Sequence, residues 1–577
     1  MKRFGIVAGL SFIVMGIFGW LGLFAGTDAS EAHSVYGTWV SLVPPLIAIA
    51  LALITREVIL SLFAGLWVGA LFLMAYNPFS ATAESLDVMV TAITKEDHVA
   101  IIVFSLLLGG MVGVMSRGGG NQGIVTLLGK HANTRKKGQL FSWLSALFIF
   151  FDDYANTLIR GNALRPMTDR LKISREKLAY IVDSTAAPLA VCAVITTWIG
   201  FEITQIANSL SALAEQTTDE ALAAQLQTGA DNAFIIFLDS IPYLFYPILA
   251  LSFVLMIIVM RRDFGPMYDA ERRAASGGGV LRPGSVPAAD TELQTLQPVD
   301  GKPRKWYNAA LPVIAVINVA LFGLYLTGSA GLEEGQRGIT DIIGNSDPFA
   351  ALLWASFTGC TLAILLVVFQ KILSVKEALE AMIGGMQSML VAIVILILAW
   401  SLGGITQSIG TGAYLASMLE DSLPIILLPG LVFFIAALTA FSTGTSWGTM
   451  AILFPVVIPL AVAMGAGVGF AGGEYYGILL GSISSVMAGA VFGDHCSPIS
   501  DTTVLSSMSS ACDLIDHVRT QLPYALVVAG VALVVGEIPA AFEWIHPIWG
   551  IFAGLVILYF ILRFFGKNPE EGIKVAA

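Results

Sequence analysis

Gly493-Asp494-His495-Cys496-Ser497-Pro498-Ile499-Ser500-Asp501-Thr502-Thr503 sets two carboxylates, an imidazole and a row of hydroxyls around a proline, with apolar runs on both sides. A carboxylate at mid-bilayer costs about 2.5–3.5 kcal/mol on insertion scales, so such a cluster reads as a functional site. Pro498 lacks an N–H and ends a helix, which frees carbonyls and amides to bind something small. The stretch is therefore read as an interrupted membrane helix carrying an ion site.

Composition agrees. Of 577 residues, 56% are hydrophobic and 12% charged, about half the charge usual in a soluble domain. Apolar runs of crossing length, roughly 20 residues, fall near 4–26, 39–55, 58–76, 100–116, 178–201, 232–260, 306–328, 348–370, 385–410, 474–510, 521–540 and 545–565. The chain is expected to be an all-α polytopic membrane protein. The first run is read as a helix and not a cleaved signal, because the Gly-Thr-Asp-Ala after it is a poor cleavage site. The net charge of −11 lies mostly in loops and gives no reason to expect nucleic acid. Cys192, Cys360, Cys496 and Cys512 lack CxxC spacing, so neither a disulfide framework nor a zinc site is expected.

Basic residues mark the cytoplasmic side. Lys130, Arg135, Lys136 and Lys137 precede the apolar stretch 139–160, and Arg160, Arg165, Arg170, Lys172, Arg175 and Lys177 follow it. Both flanks are then cytoplasmic, and the stretch is expected to enter and return as a re-entrant hairpin. The stretch 423–465 has only Glu420, Asp421 and Glu474 at its flanks, so it is expected to be a second hairpin from outside, turning at Ser442–Ser446. With about twelve crossings both termini are cytoplasmic, and of the Lys and Arg only Lys95 and Arg337 fall outside. Residues 261–305, with Ser276-Gly277-Gly278-Gly279, read as a flexible linker.

Each half places a hairpin before a polar-broken span, in opposite orientations. The breaks are Asp183-Ser184-Thr185-Ala186-Ala187-Pro188 and Asp494-His495-Cys496-Ser497-Pro498. Inverted repeats with matching interruptions point to the binding site of a secondary transporter.

The first hairpin carries Phe151-Asp152-Asp153-Tyr154-Ala155-Asn156-Thr157, whose oxygens suit a hard cation such as Na+. Asp152 and Asp153 cannot both be buried and ionised cheaply, so a proton competes with a cation there; capping of a helix is the plainer role. The second hairpin offers Ser442, Thr443, Gly444, Thr445 and Ser446, either as a tight tip with free carbonyls or as small residues for close packing. Asp183, Ser184 and Thr185 repeat the oxygen pattern, as do Asp494, Ser497, Asp501, Thr502 and Thr503. His495 suits a proton relay or a packing role. Gly444–Gly448 fits G-x-S-x-G without the preceding strand a nucleophile elbow needs. Gly118–Gly123 fits G-x-G-x-x-G outside any Rossmann context and is read as a loop. Residues 165–177 are expected to form a basic surface helix. No enzymatic activity is expected.

The Gly493–Thr503 string, with Phe151–Thr157 and Ser442–Thr449, resembles the NhaC-type Na+/H+ antiporter family. The resemblance implies a homodimeric elevator transporter of the ion-transporter superfamily, with scaffold and transport domains. Mapped here, 139–201 and 423–510 would form the transport domain. The scaffold would comprise 1–138, 306–422 and 511–577, with 202–260 closing the first repeat. The implied activity is exchange of Na+ or Li+ for H+ across a cell inner membrane, without a further cofactor. Na+ would sit at Asp152, Asn156, Asp183, Thr443, Asp494 and Asp501. The alternative is a Na+- or H+-coupled carrier of a small organic anion or amino acid.

Overall fold

Backbone groups in hydrocarbon must bond within their own segment, and this chain meets that demand with helices. The computed structural model describes residues 35–55, 57–129, 132–150, 153–217, 219–287, 298–299, 301–330, 342, 346–411, 414, 424–464 and 476–573. Among these, nine helices are long and apolar enough to cross a membrane. Three bent helix pairs raise the number to as many as twelve if each is one span. The expected helix 4–26 lies outside the described residues.

The helices pack as two groups. Val43–Thr55, Val58–Leu73, Pro78–Thr94, Glu96–Arg117, Tyr307–Ser329, Pro348–Phe369, Val375–Ser388 and Leu390–Ser408 lie largely against one another. Glu96–Arg117 and Val375–Ser388 cross on glycine: a Cβ at Gly113 would enter the Ala381 carbonyl, and one at Gly385 would enter the Gly109 carbonyl. Small residues let membrane helices touch backbone to backbone.

The second group holds both hairpins and both broken helices. The first hairpin is Arg135–Leu144 and Asp153–Arg170; the second is Leu428–Thr443 and Ser446–Met464. The first broken helix runs Arg175–Asp183, then Ala187–Cys192, and continues after a bend of 44° into Thr197–Gln216. The second is Tyr476–Cys496 followed by Asp501–Ser509. Leu428–Thr443 lies along Tyr476–Cys496 over its length, because Gly489 and Gly493 leave room for the Phe433 and Ala437 carbonyls. Phe245–Met260, Leu514–Val531 and Pro547–Phe565 pack in this group too.

Four local expectations are revised. The segment 78–94, not expected as an element, is a helix; Asn77 caps it by accepting the Phe79 and Ser80 N–H groups at 3.1 and 3.2 Å. Gly118–Gly123 is not a loop: helix Gly120–Gly129 begins there, and Cβ atoms at Gly120 and Gly123 would strike the backbones of Asn308–Ala309 and Lys305–Trp306. The helix expected at 165–177 breaks at 171–174, where Lys172 takes φ 55°. The linker contains helix Gly265–Ala275, whose buried Glu271 accepts from Arg135 at 2.6 Å, Gln139 at 2.9 Å and the Ser174 N–H at 2.8 Å.

Around that helix a dense set of ion pairs gathers at one end of the bundle. Lys177 meets Asp263 at 2.5 Å, Arg273 meets Glu176 at 2.9 Å, and Arg282 meets Asp516 at 2.8 Å. Asp263 also exchanges backbone bonds with Lys567, at 3.0 and 2.8 Å.

Gly113→Val is expected to lower stability by about 1–3 kcal/mol through overpacking, read as thermal unfolding in detergent. Gly384→Ala is the control, since nothing lies within 4 Å of the added methyl, and it should leave the transition unchanged.

Candidate functional site

The site forms where the tip of the second hairpin rests on the break of the second broken helix. Gly444 turns the tip at φ 75°, and a Cβ there would be driven into the Ile499 carbonyl. The Asp501 N–H donates to the Gly444 carbonyl at 3.0 Å, and the Ser497 hydroxyl to the Phe441 carbonyl at 2.7 Å. Ser446, first residue of the second arm, donates its N–H to Asp494 Oδ2 at 2.9 Å and its hydroxyl to the same oxygen. A carboxylate at a helix N-terminus is favoured both by those exposed donors and by the helix dipole.

Two further carboxylates close the cluster. Asp183 ends the first segment of the first broken helix, and its Oδ2 accepts from Gln521 at 2.6 Å and Thr503 at 3.0 Å. His517 Nε2 stands 3.9 Å from the same oxygen. Thr503 also reaches the Asp494 main-chain carbonyl at 3.1 Å and so ties the two breaks together. Asp501 accepts the Tyr154 hydroxyl at 2.5 Å and the Thr502 N–H at 2.7 Å, bringing in the first hairpin. Asp183 and Asp494 are at most 1% exposed, and each keeps one oxygen (Oδ1) without a hydrogen-bond partner. Buried polar atoms rarely stay unsatisfied, so these two oxygens are the cluster's candidates for meeting a ligand.

The remaining expected residues divide. Asp152 lies outside the described residues. Asp153 is buried and accepts the Trp198 indole N–H at 3.2 Å, so it sits beside the cluster and faces the helix Thr197–Gln216. Asn156 donates to the Ile149 carbonyl at 2.8 Å, and its oxygen is taken by Arg160. The hydroxyls of Thr157 and Thr443 donate to carbonyls of their own helices, and that of Thr185, in the first break, donates back to the Ile181 carbonyl of the preceding helix. Ser184 is buried at the first break, and Ser442 is half-buried at the tip. Thr445 accepts through its carbonyl from the Thr449 hydroxyl at 3.0 Å, and Thr502 pairs with Ser500 at 3.1 Å. His495 bonds Tyr246 through Nδ1 at 2.8 Å, and its Nε2 has no partner. Thus Asp183, Asp494 and Asp501 come together, while Asn156 and Thr443 spend their polar atoms elsewhere.

Among the described residues no three His, Cys, Asp or Glu side chains converge as a metal site. The donor set is instead carboxylate, hydroxyl and carbonyl oxygen, which suits a hard monovalent ion better than a transition metal. Sequence reasoning missed Tyr154, Gln521 and His517, although a polar run at 516, 517, 520 and 521 inside an apolar helix was a signal. It also counted Arg160 among loop charges. Arg160 is fully buried and binds Ser145 Oγ at 3.0 Å and the Ser142 carbonyl at 2.7 Å, stitching the two arms of the first hairpin.

Interrupted helices meeting around buried carboxylates in a polytopic bundle define a secondary transporter. The profile of the Na+/H+ antiporter family matches residues 194–536, and the chain belongs to that family. An uncharacterized protein of Haemophilus influenzae is 34% identical over 513 residues, covering 87% of this chain and 91% of that one. A malate-2H(+)/Na(+)-lactate antiporter of Bacillus subtilis is 32% identical over 155 residues, 26% of this chain and 30% of that protein. The fold is shared with the YdaH transporter of Alcanivorax borkumensis, at TM-score 0.51 and 15% identity over 84% of this chain and 89% of that one.

Gly444→Ala forces a side chain into left-handed backbone and against Ile499. It is expected to cost about 1–3 kcal/mol and to detach the tip, read as lower thermal stability and new protease sensitivity near 444. Ser442→Ala, at the half-buried flank of the tip, should show neither effect.

Proposed function

We propose that this antiporter exchanges Na+, and Li+ in its place, for H+ across a cell inner membrane. The observation that carries the reading is Asp494: one oxygen is held by the hairpin tip and the other is unpartnered, beside Asp183 and Asp501. Two buried carboxylates with a half-buried third beside them cannot all stay ionised without a counter-charge. A proton or a Na+ ion supplies that charge, and the two exclude each other. Competition for the same oxygens couples the two flows without any longer-range signal.

Both breaks and both hairpins share the cluster, so alternating access by an elevator motion would carry them together. In this reading the moving body also includes Phe245–Met260, mapped above to the closing helix of the first repeat, and Leu514–Val531, mapped above to the scaffold. Tyr246 holds His495, Gln521 holds Asp183, and Tyr524 and Lys177 share Asp263 at 2.6 and 2.5 Å. The first group of helices would be the static side. Homodimeric assembly rests on the family resemblance alone. The ion-pair-rich end is assigned to the cytoplasm by its lysines and arginines.

A second reading, exchange of a small organic anion, is favoured by the relative named a malate-2H(+)/Na(+)-lactate antiporter. Proteoliposomes with a trapped pH dye separate the two. An external Na+ or Li+ pulse is expected to raise the internal pH, K+ to give no change, and Asp494→Asn to fall to the level of empty liposomes. Silence toward every cation, with a response to malate or lactate on a Na+ gradient, would reject the cation/proton reading.

A further inference from the structure

One face of the helix Thr197–Gln216 carries polar residues that the carboxylate cluster does not use. Trp198, Glu202, Gln205 and Ser209 follow at spacings of four, three and four, so they lie along a single face. They span roughly 16 Å of helix at the usual rise. At one end Trp198 donates to Asp153 of the first hairpin at 3.2 Å. At the other, Gln205 and Ser209 line a cavity of about 150 Å³ bordered by Lys95, His98, Asn208 and Trp400. Lys95 and Arg117 lie at opposite ends of the helix Glu96–Arg117, and the cavity borders the Lys95 end.

Glu202 stands between these ends. It is fully buried, and neither of its oxygens has a hydrogen-bond partner. The Gln205 amide nitrogen, one turn nearer the cavity, has none either. The helices packed on this one supply little charge. Ser446–Met464 and Leu390–Ser408 contain no titratable residue, Ala187–Cys192 brings the Cys192 thiol, and Glu96–Arg117 brings the buried His98, with Glu96 and Asp97 in its first turn and Arg117 at its far end. His98 is already bonded to the Ala92 carbonyl at 2.6 Å and to Asn208 at 2.8 Å, and it stacks on Trp400. On the remaining two helices, Glu220, Asp231 and Asp239 are exposed at the surface. A carboxylate without a donor or a cationic partner persists in such surroundings only with a proton or a small cation on it.

We propose that Glu202 is a second proton-binding carboxylate, loaded from the cavity past Gln205 and separate from the cluster at Asp494. A proton from water in the cavity adds to one carboxylate oxygen and returns by the same path; no other bond changes. Its part in the exchange cycle rests on the cation/proton reading above, whereas the binding of the proton does not.

The test uses full-length protein in lipid nanodiscs and infrared difference spectra across a pH step. A carboxylic acid C=O band that shifts in heavy water is expected in wild type and in Asp494→Asn, absent in Glu202→Gln, and displaced in Glu202→Asp. A band unchanged in Glu202→Gln, or no band in wild type that Glu202→Asp displaces, overturns the proposal. In proteoliposomes the ratio of protons to Na+ moved should fall in Glu202→Gln. A merely structural role would lower both fluxes and leave that ratio at the wild-type value, which also overturns it. If wild type exchanges no Na+ for H+, the infrared arm still decides the proton site.

Discussion

The contact between Ser446 and Asp494 is the interaction on which the site depends. It joins the start of one helix to the end of another, and each satisfies what the other would leave open. Without Ser446 the Asp494 oxygen would lie in a water-poor interior with no donor; without Asp494 the first amide of the second arm would lose its acceptor. The Gly444 carbonyl and the Ser497 hydroxyl add two more bonds across the same junction. An interrupted helix is tolerable in a membrane only when something else caps the interruption, and here the hairpin tip does so.

The second break is thus closed mainly by the second hairpin, and the first break mainly by Gln521 and Thr503. The two are linked through Thr503, whose single hydroxyl meets Asp183 and the Asp494 carbonyl. Tyr154 then ties the first hairpin to Asp501. Four elements distant in sequence converge on three carboxylates, two of which keep an unpartnered oxygen.

Much of this was legible from residue type alone. Asp183, Asp494, Asp501, Ser446 and Thr503 stand out because charged and hydroxyl residues are costly inside apolar runs, and the second tip and second break fall within a few residues of where Gly444 and Pro498 predict them. What was not legible depended on partners. Gln521 and Tyr154 gain their meaning only from Asp183 and Asp501, which lie far away in sequence. Arg160 follows the loop-charge pattern in sequence, yet its guanidinium serves carbonyls inside a hairpin. Gly120 and Gly123 suggested flexibility, whereas they are small so that another helix can touch them. Glu271 sits in a stretch rich in glycine and charge, where composition conceals a buried acceptor.

The seam between Leu428–Thr443 and Tyr476–Cys496 has a mechanical consequence. With Gly489 and Gly493 fitted against the Phe433 and Ala437 carbonyls, the two helices meet backbone to backbone, with little compressible side chain between them. Such a joint is stiff. Swinging the first arm outward like a flap would strip close contact along its whole length, whereas displacing the pair as one beam strips none. Force applied at either helix is therefore transmitted to the other with little lost to bending, and the junction between Ser446 and Asp494 at its end keeps its shape.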